Sequence, residues 1–201
     1  LGYAAKETRS RVLYNIADAA TNTFRVNDRA NDNAILVGDR LTVDEISQVR
    51  AVLGAAGTPT WPDGTFHMVI PPFVQSGLET DADWKAKHQF IKNEELEKGA
   101  LRTITMGTSV MATNDVAFVA TASATSGNSS KIYSSFIAGP DALGVTELHG
   151  TKLLVTEPGS GETDWAHQRF TIGFKMTFKG VILNNTFLRR IRSSGKDATA
   201  V

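Results

Sequence analysis

Phe170-Thr171-Ile172-Gly173-Phe174-Lys175-Met176-Thr177-Phe178-Lys179 alternates apolar and polar residues along its whole length, with Gly173 among the polar set. Successive side chains of a strand point to opposite faces, so a period of two predicts one long strand with an apolar and a polar face. Phe170, Ile172, Phe174, Met176 and Phe178 are expected inward. Lys175 and Lys179 are expected outward or at a contact. Val181, Ile182 and Leu183 prolong the apolar character. Phe187, Leu188 and Ile191 mark a further buried segment, interleaved with Arg189, Arg190 and Arg192.

Working back from this strand, residues 101–106, 109–113, 132–138 and 152–156 are short and β-rich. The stretches 121–130 and 158–163 are loops by composition. The first half reads differently. Residues 1–24 place Leu13, Ile16, Ala17, Ala20 and Phe24 at helical spacing. Residues 27–33 are polar and form a loop. Thr42 and Glu45 make a capping box for a helix over 42–56, whose face is Ile46, Val49, Leu53 and Ala56. Gly57 and Pro59 end that helix. Trp61-Pro62-Asp63-Gly64 is a turn, and 66–70 is a short strand stopped by Pro71 and Pro72. Residues 73–98 are helical in parts, with Asp81 or Asp83 as a cap and Trp84, Phe90, Ile91 and Leu96 as apolar positions. Helices come first, strands later, and no strand–helix–strand rhythm appears. The fold class expected is α+β.

The chain of 201 residues can form one large domain or two small lobes. Lysine plus arginine equals aspartate plus glutamate, at 21 each. A dedicated nucleic-acid binder usually carries a basic excess, so that class is disfavoured. Neutrality also removes the self-repulsion that keeps copies apart. Cysteine is absent, which excludes disulfides, thiolate metal sites and a cysteine nucleophile. No apolar run approaches the ~20 residues that span a bilayer. The chain starts at Leu1, with no signal-peptide pattern, and the expectation is that something upstream is missing.

The search for chemistry is negative. His67, His88, His149 and His167 form no zinc-type pair. Asp28, Asn31 and Asp32 lack the alternation and glycine of a calcium loop. No Gly-x-Ser-x-Gly nucleophile elbow exists. Gly159-Ser160-Gly161 has no helix after it, so a surface loop is the better reading. Ser193-Ser194-Gly195-Lys196 lacks the first glycine of a phosphate loop. Asp81 and Asp83, two apart, would not share a helix face. Arg189-Arg190-Ile191-Arg192 is read as the charged edge of a strand, with Ile191 packed inward. Trp61, Trp84 and Trp165 suit core or subunit-contact anchors. No catalytic, cofactor or metal residue is assigned.

Several blocks, taken in order, resemble one family, the major capsid proteins of tailed phages like enterobacterial phage N-four. These are Leu1-Gly2-Tyr3-Ala4-Ala5, Leu41-Thr42-Val43-Asp44-Glu45-Ile46, Asp63-Gly64-Thr65-Phe66 and Val69-Ile70-Pro71-Pro72. Leu78 through Trp84 follows, then Ile132-Tyr133 and Ala138-Gly139-Pro140-Asp141-Ala142-Leu143-Gly144-Val145. Asp164, Gln168-Arg169, Gly173-Phe174-Lys175 and Ile182-Leu183-Asn184 close the series. Pro71, Ala100 and Trp165 depart from the family's usual residues.

The resemblance implies the Hong Kong 97-type capsid fold, with a peripheral lobe (spine helix plus long-stranded sheet) and an axial lobe. Residues 1–40 would be the end of the spine helix and its connection, 41–160 mainly the axial lobe, and 161–201 the closing long strands of the peripheral lobe. The N-terminal arm and extended loop would lie upstream. The implied function is self-assembly of many copies into hexamers and pentamers of an icosahedral shell around the phage genome, with no enzyme activity and no cofactor. The implied location is the virion, after assembly in the host cytoplasm. Scaffold, portal and decoration proteins would be partners, together with weakly and non-specifically held double-stranded DNA; no membrane is involved. Structural or subunit-contact roles fall to Trp84, Asp141, Gly144, Asp164, Gln168, Arg169 and Lys175. An encapsulin-like nanocompartment shell protein is the alternative within the fold. An α+β hydrolase or lyase, which would need a nucleophile and base, and a decoration or carbohydrate-binding module are the alternatives from other classes.

Overall fold

The computed structural model describes residues 2–88, 104–105, 108–112, 121–122, 131–157 and 170–195. The helices are α1 (Gly2–Asp18), α2 (Val43–Ala55), α3 (Pro72–Leu78) and α4 (Ala82–His88). The strands are β1 (Thr23–Arg25), β2 (Phe66–Ile70), β3 (Ile104–Thr105), β4 (Thr108–Ala112), β5 (Thr121–Ala122), β6 (Lys131–Ala138), β7 (Leu143–Thr156), β8 (Thr171–Ile182) and β9 (Leu188–Ser194). They form a mixed seven-stranded sheet in the order β1-β9-β6-β2-β4-β3, with β5 also on β6, and a separate two-stranded ribbon of β7 and β8. The α+β expectation holds.

α2 begins as its sequence dictates. The Thr42 hydroxyl accepts from the Glu45 amide at 3.4 Å, and the Glu45 carboxylate accepts from the Thr42 amide at 2.9 Å. Two of the free amides at the helix start are thereby satisfied. Asp81 adds a third link: it accepts from the Val43 amide at 3.0 Å and from the Asp83 amide at 3.3 Å, so one carboxylate serves the starts of α2 and α4. Gly57 follows α2 at φ +69, a conformation that glycine adopts without a Cβ penalty. Ile46, Val49 and Leu53 are buried against Met68, Ile70 and Val110 of the sheet, and Trp84 and Leu78 close the same core.

A second apolar cluster fixes α1. Tyr14, Ala17 and Ala20 pack with Phe136, Ala142 and Leu188. The rings of Tyr14 and Phe136 meet edge to face, with centroids 5.1 Å apart. The same helix lies against the near end of the ribbon. A Cβ at Gly180 would come within 2.8 Å of the Leu13 side chain and 2.9 Å of the Ile16 side chain, so glycine lets α1 lie this close without moving their tips.

Two expectations about elements change. The opening helix stops at Asp18 and not at residue 24, because Thr23–Arg25 pairs in parallel with β9. The run 152–156 is only the end of a strand that starts at Leu143; Gly144, Thr146, Glu147, His149 and Gly150 masked its alternation. The pairing does not decide the expected division at 40, 160 and 161. β7 precedes residue 160 and pairs with β8, whereas β9, inside 161–201, lies between β1 and β6 in the large sheet. A period of two specifies a strand and its faces but not its partner. The loop readings at 123–130 and 158–163 lie outside the described residues.

Candidate assembly surface

The described residues among those singled out in the sequence, Trp84, Asp141, Gly144 and Lys175, do not converge on one site. Trp84 is buried in the main core. Asp141 is exposed in the turn between β6 and β7, at φ +58. Gly144 lies on β7, where a Cβ would come within 2.9 Å of the Leu183 side chain. Lys175 is exposed on β8, directly across from Lys152. Asp164, Gln168 and Arg169 lie outside the described residues. Gly139, in the same block as Asp141, has a plain steric role. Its Cβ would meet Thr58 Cγ2 at 2.5 Å and the Pro59 carbonyl at 2.7 Å.

The arginine run is not a strand edge. β9 is flanked on both sides, and Arg192 is 7% exposed. Its guanidinium reaches Asp18 at 3.3 Å and Asp32 at 3.8 Å. Arg190 lies 3.6 Å from Asp18, donates to the Asp18 carbonyl and donates to the Thr23 hydroxyl at 2.7 Å. Burial pulls the Arg190 pKa down, and the neighbouring Arg192 adds to that. Asp18 also accepts from the Ser134 hydroxyl at 2.7 Å. The end of α1 is therefore riveted to β9 and β6 by one carboxylate and two arginines. The expectation that Ile191 packs inward holds, at 0% exposure. Alternation implied that much; it could not reveal that a distant Asp18 would internalise the charges.

One further carboxylate, Asp39, was missed, and so was a second partner of the capping residue Glu45, because their partners are 10 or more positions away or are backbone groups. Asp39 accepts from Arg29 Nε at 2.8 Å, Asn27 Nδ2 at 2.8 Å and the Leu36 amide at 2.8 Å. Burial opposes its ionisation, but these donors outweigh it and hold its pKa below the usual value. Glu45 accepts from the Asn27 amide at 2.9 Å as well as from Thr42, yet burial dominates and its pKa is raised. Together they fold the 26–42 segment back on itself and tie it to the start of α2. On another loop, Asp63 accepts from Thr65 and meets His67 at 3.1 Å, which brings its pKa down to about 2. His67 stacks on Trp61 with centroids 4.8 Å apart. Each of these groups has partners that explain it structurally.

The ribbon differs. Among the described residues, ten of the fifteen exposed large apolar side chains lie between residues 143 and 183. Scattered apolar residues are ordinary on a surface, but a concentration of them marks a contact. β8 alternates as expected from residue 174 onward, with Phe174, Met176 and Phe178 half-buried and Lys175, Thr177 and Lys179 exposed. Arg9 of α1 covers Phe178, 5.8 Å from the ring centre, and pairs with Glu147 at 3.6 Å. Beyond that point Ile172 and Phe170 are exposed, so the inward expectation fails at the far end, where none of the described residues covers them. Lys152 and Lys175 stand directly opposite on the other face, a like-charge pairing that destabilises the ribbon. A stretch of sequence can announce an apolar face; whether anything covers it depends on what else the fold brings there.

No family model matches the chain, and no curated protein sequence matches it. Solved structures do. The chain is similar to one from Mycobacterium phage Che8, at 11% identity and a TM-score of 0.61, covering 94% of this chain and 60% of that one. It is similar to the acid-stable capsid structure of Helicobacter pylori bacteriophage KHP30, at 9% identity and a TM-score of 0.62, covering 96% and 66%. It is also similar to the cyanophage Pam1 capsid asymmetric unit, at 11% identity and a TM-score of 0.62, covering 89% and 56%. The chain thus has the Hong Kong 97-type fold of phage capsid chains, and spans 56–66% of the length of these three.

Proposed function

We propose that this chain is a phage major capsid protein, whose copies assemble as hexamers and pentamers into an icosahedral shell enclosing the genome. The observation that carries this reading is the fold shared with phage capsid chains over nearly the whole of its length. The exposed ribbon supports it, because a shell subunit needs apolar surface that only other copies cover. The role is structural and not enzymatic. Among the described residues, the buried Asp39, Glu45 and Arg192 each meet internal partners, and subunit contacts would supply the free energy of assembly.

In this reading α1 and the β7–β8 ribbon belong to the peripheral lobe. The seven-stranded sheet, with β9 included, belongs to the axial lobe. Trp84 and Gly144 act as structural residues. Asp141, Asp164, Gln168, Arg169 and Lys175 act at or near subunit contacts. Scaffold, portal and decoration proteins are the accessory partners, and packaged double-stranded DNA touches the shell only weakly and non-specifically. The protein resides in the virion and assembles in the host cytoplasm. Electron microscopy of the protein expressed from its complete reading frame tests this. Closed icosahedral shells are expected; a protein that stays monomeric at high concentration overturns the reading.

A further inference from the structure

Two stretches far apart in sequence, 58–65 and 138–142, are locked together beside β2. The Trp61 indole Nε1–H donates to the Ala138 carbonyl at 3.3 Å. Gly139 leaves room for Thr58 and Pro59, which a Cβ would strike. The turn also closes on itself. The Gly64 amide donates to the Trp61 carbonyl at 2.7 Å, and the Trp61 amide donates to the Thr65 carbonyl at 3.0 Å. Trp61 thus belongs to the turn and grips the end of β6.

His67 of β2 covers this junction. Its ring lies on Trp61, 9° from parallel, with centroids 4.8 Å apart. Its Nε2 is 3.1 Å from Asp63 Oδ2, while Asp63 Oδ1 accepts from the Thr65 amide at 3.0 Å. One imidazole therefore touches both the indole that grips β6 and the carboxylate that shapes the turn. The register sets His67 beside Ser109 of β4 and Ala138 of β6, and neither is charged. Among the described residues, Asp63 is the charged group that faces it. Asp141, in the turn after Ala138, is exposed to water.

Both contacts respond to the proton on that imidazole. An imidazolium is attracted to a carboxylate and to the face of an indole. A neutral imidazole keeps a hydrogen bond and ring contact but loses both charge terms. Histidine is the side chain whose charge changes near neutrality. Asp63, held down to about 2 by His67 and Thr65, stays ionised through that range, so the pair changes charge at His67 alone.

We propose that Trp61, Asp63 and His67 form a proton-operated clasp that holds the 58–65 turn on the end of β6. The clasp is closed while His67 carries its proton. It loosens as pH rises and that proton leaves, and at the acid limit as pH falls through about 2 and Asp63 gains one. The clasp sits where the chain leaves β6 for β7, so its setting bears on the junction between the large sheet and the ribbon. The His67 and Asp63 side chains are 33% and 38% exposed, so the change is a local loosening and not an unfolding.

Hydrogen–deuterium exchange of the full-length protein, read by mass spectrometry on the peptide that carries the turn, tests this. With the intrinsic pH dependence of exchange divided out, opening of the turn should rise about two- to fivefold between about pH 5 and about pH 8, the range one exposed ion pair supplies. His67→Gln keeps a hydrogen-bonding side chain without the charge. Asp63→Asn keeps an acceptor for the Thr65 amide without the ion pair. Both variants should show the looser turn at both pH values. A turn whose opening does not change with pH in the unsubstituted protein, or whose change survives in either variant, overturns the clasp. None of these outcomes bears on the capsid reading, which shell formation tests separately.

Discussion

The strands β8 and β9 come from one continuous stretch of sequence, both have apolar residues at alternate positions, and their environments are opposite. Five of the seven residues of β9 are buried, including Arg192, Ser193 and Ser194, because strands flank it on both sides and helices cover it. No residue of β8 is fully buried; among the described strands β7 alone pairs with it, and α1 meets it through Arg9, Leu13 and Ile16 at the end near Phe178 and Gly180. Apolar alternation is a request for cover. The large sheet receives that cover from the same chain, and at the far end of the ribbon no described residue supplies it.

The difference can be broken or sharpened by substitution. The largest effect should come from the sheet. Ile191→Ala deletes a fully buried side chain and should cost about 4 kcal/mol in denaturant unfolding. Asp18→Ala comes next. It strands Arg190 and Arg192 in a largely buried setting and should cost about 3 kcal/mol, with a parallel loss in the Arg192→Ala variant and little further loss in the double variant.

The third test varies pH. Asp39 has a folded pKa below its ordinary value of 3.8, so its contribution is fully present above that value and is lost as pH falls through the folded pKa. Glu45, with its raised pKa, has the opposite sign: the folded state favours its proton, which partly offsets the loss. Asp39→Asn should cost about 2 kcal/mol at neutral pH and flatten the acid limb of a thermal-stability profile. The smallest effect should be in the ribbon. Ile172→Ser should leave unfolding of the unassembled chain within about 0.5 kcal/mol while impairing shell formation. A large loss in the free chain would mean that the ribbon is already covered, and the contrast with the sheet would collapse.

The sequence by itself determined the local events. Thr42 and Glu45 cap α2 through groups three residues apart. Gly57 and Pro72 punctuate helices through their own backbone preferences. The run from Phe174 to Lys179 sorts its side chains onto two faces because a strand has a period of two. The α+β class followed from these, and the order of the family-like blocks led to the capsid fold. Tertiary structure decided what depends on distant partners. It turned Arg190 and Arg192 from an expected charged edge into interior links to Asp18, more than 170 positions away. It assigned β7 to β8 and β9 to the large sheet, a choice that alternation leaves open because every two-faced strand presents the same pattern. It also showed that Phe170 and Ile172, apolar by sequence and inward by expectation, face solvent in the single chain, since burial belongs to the neighbours a residue acquires and not to the residue.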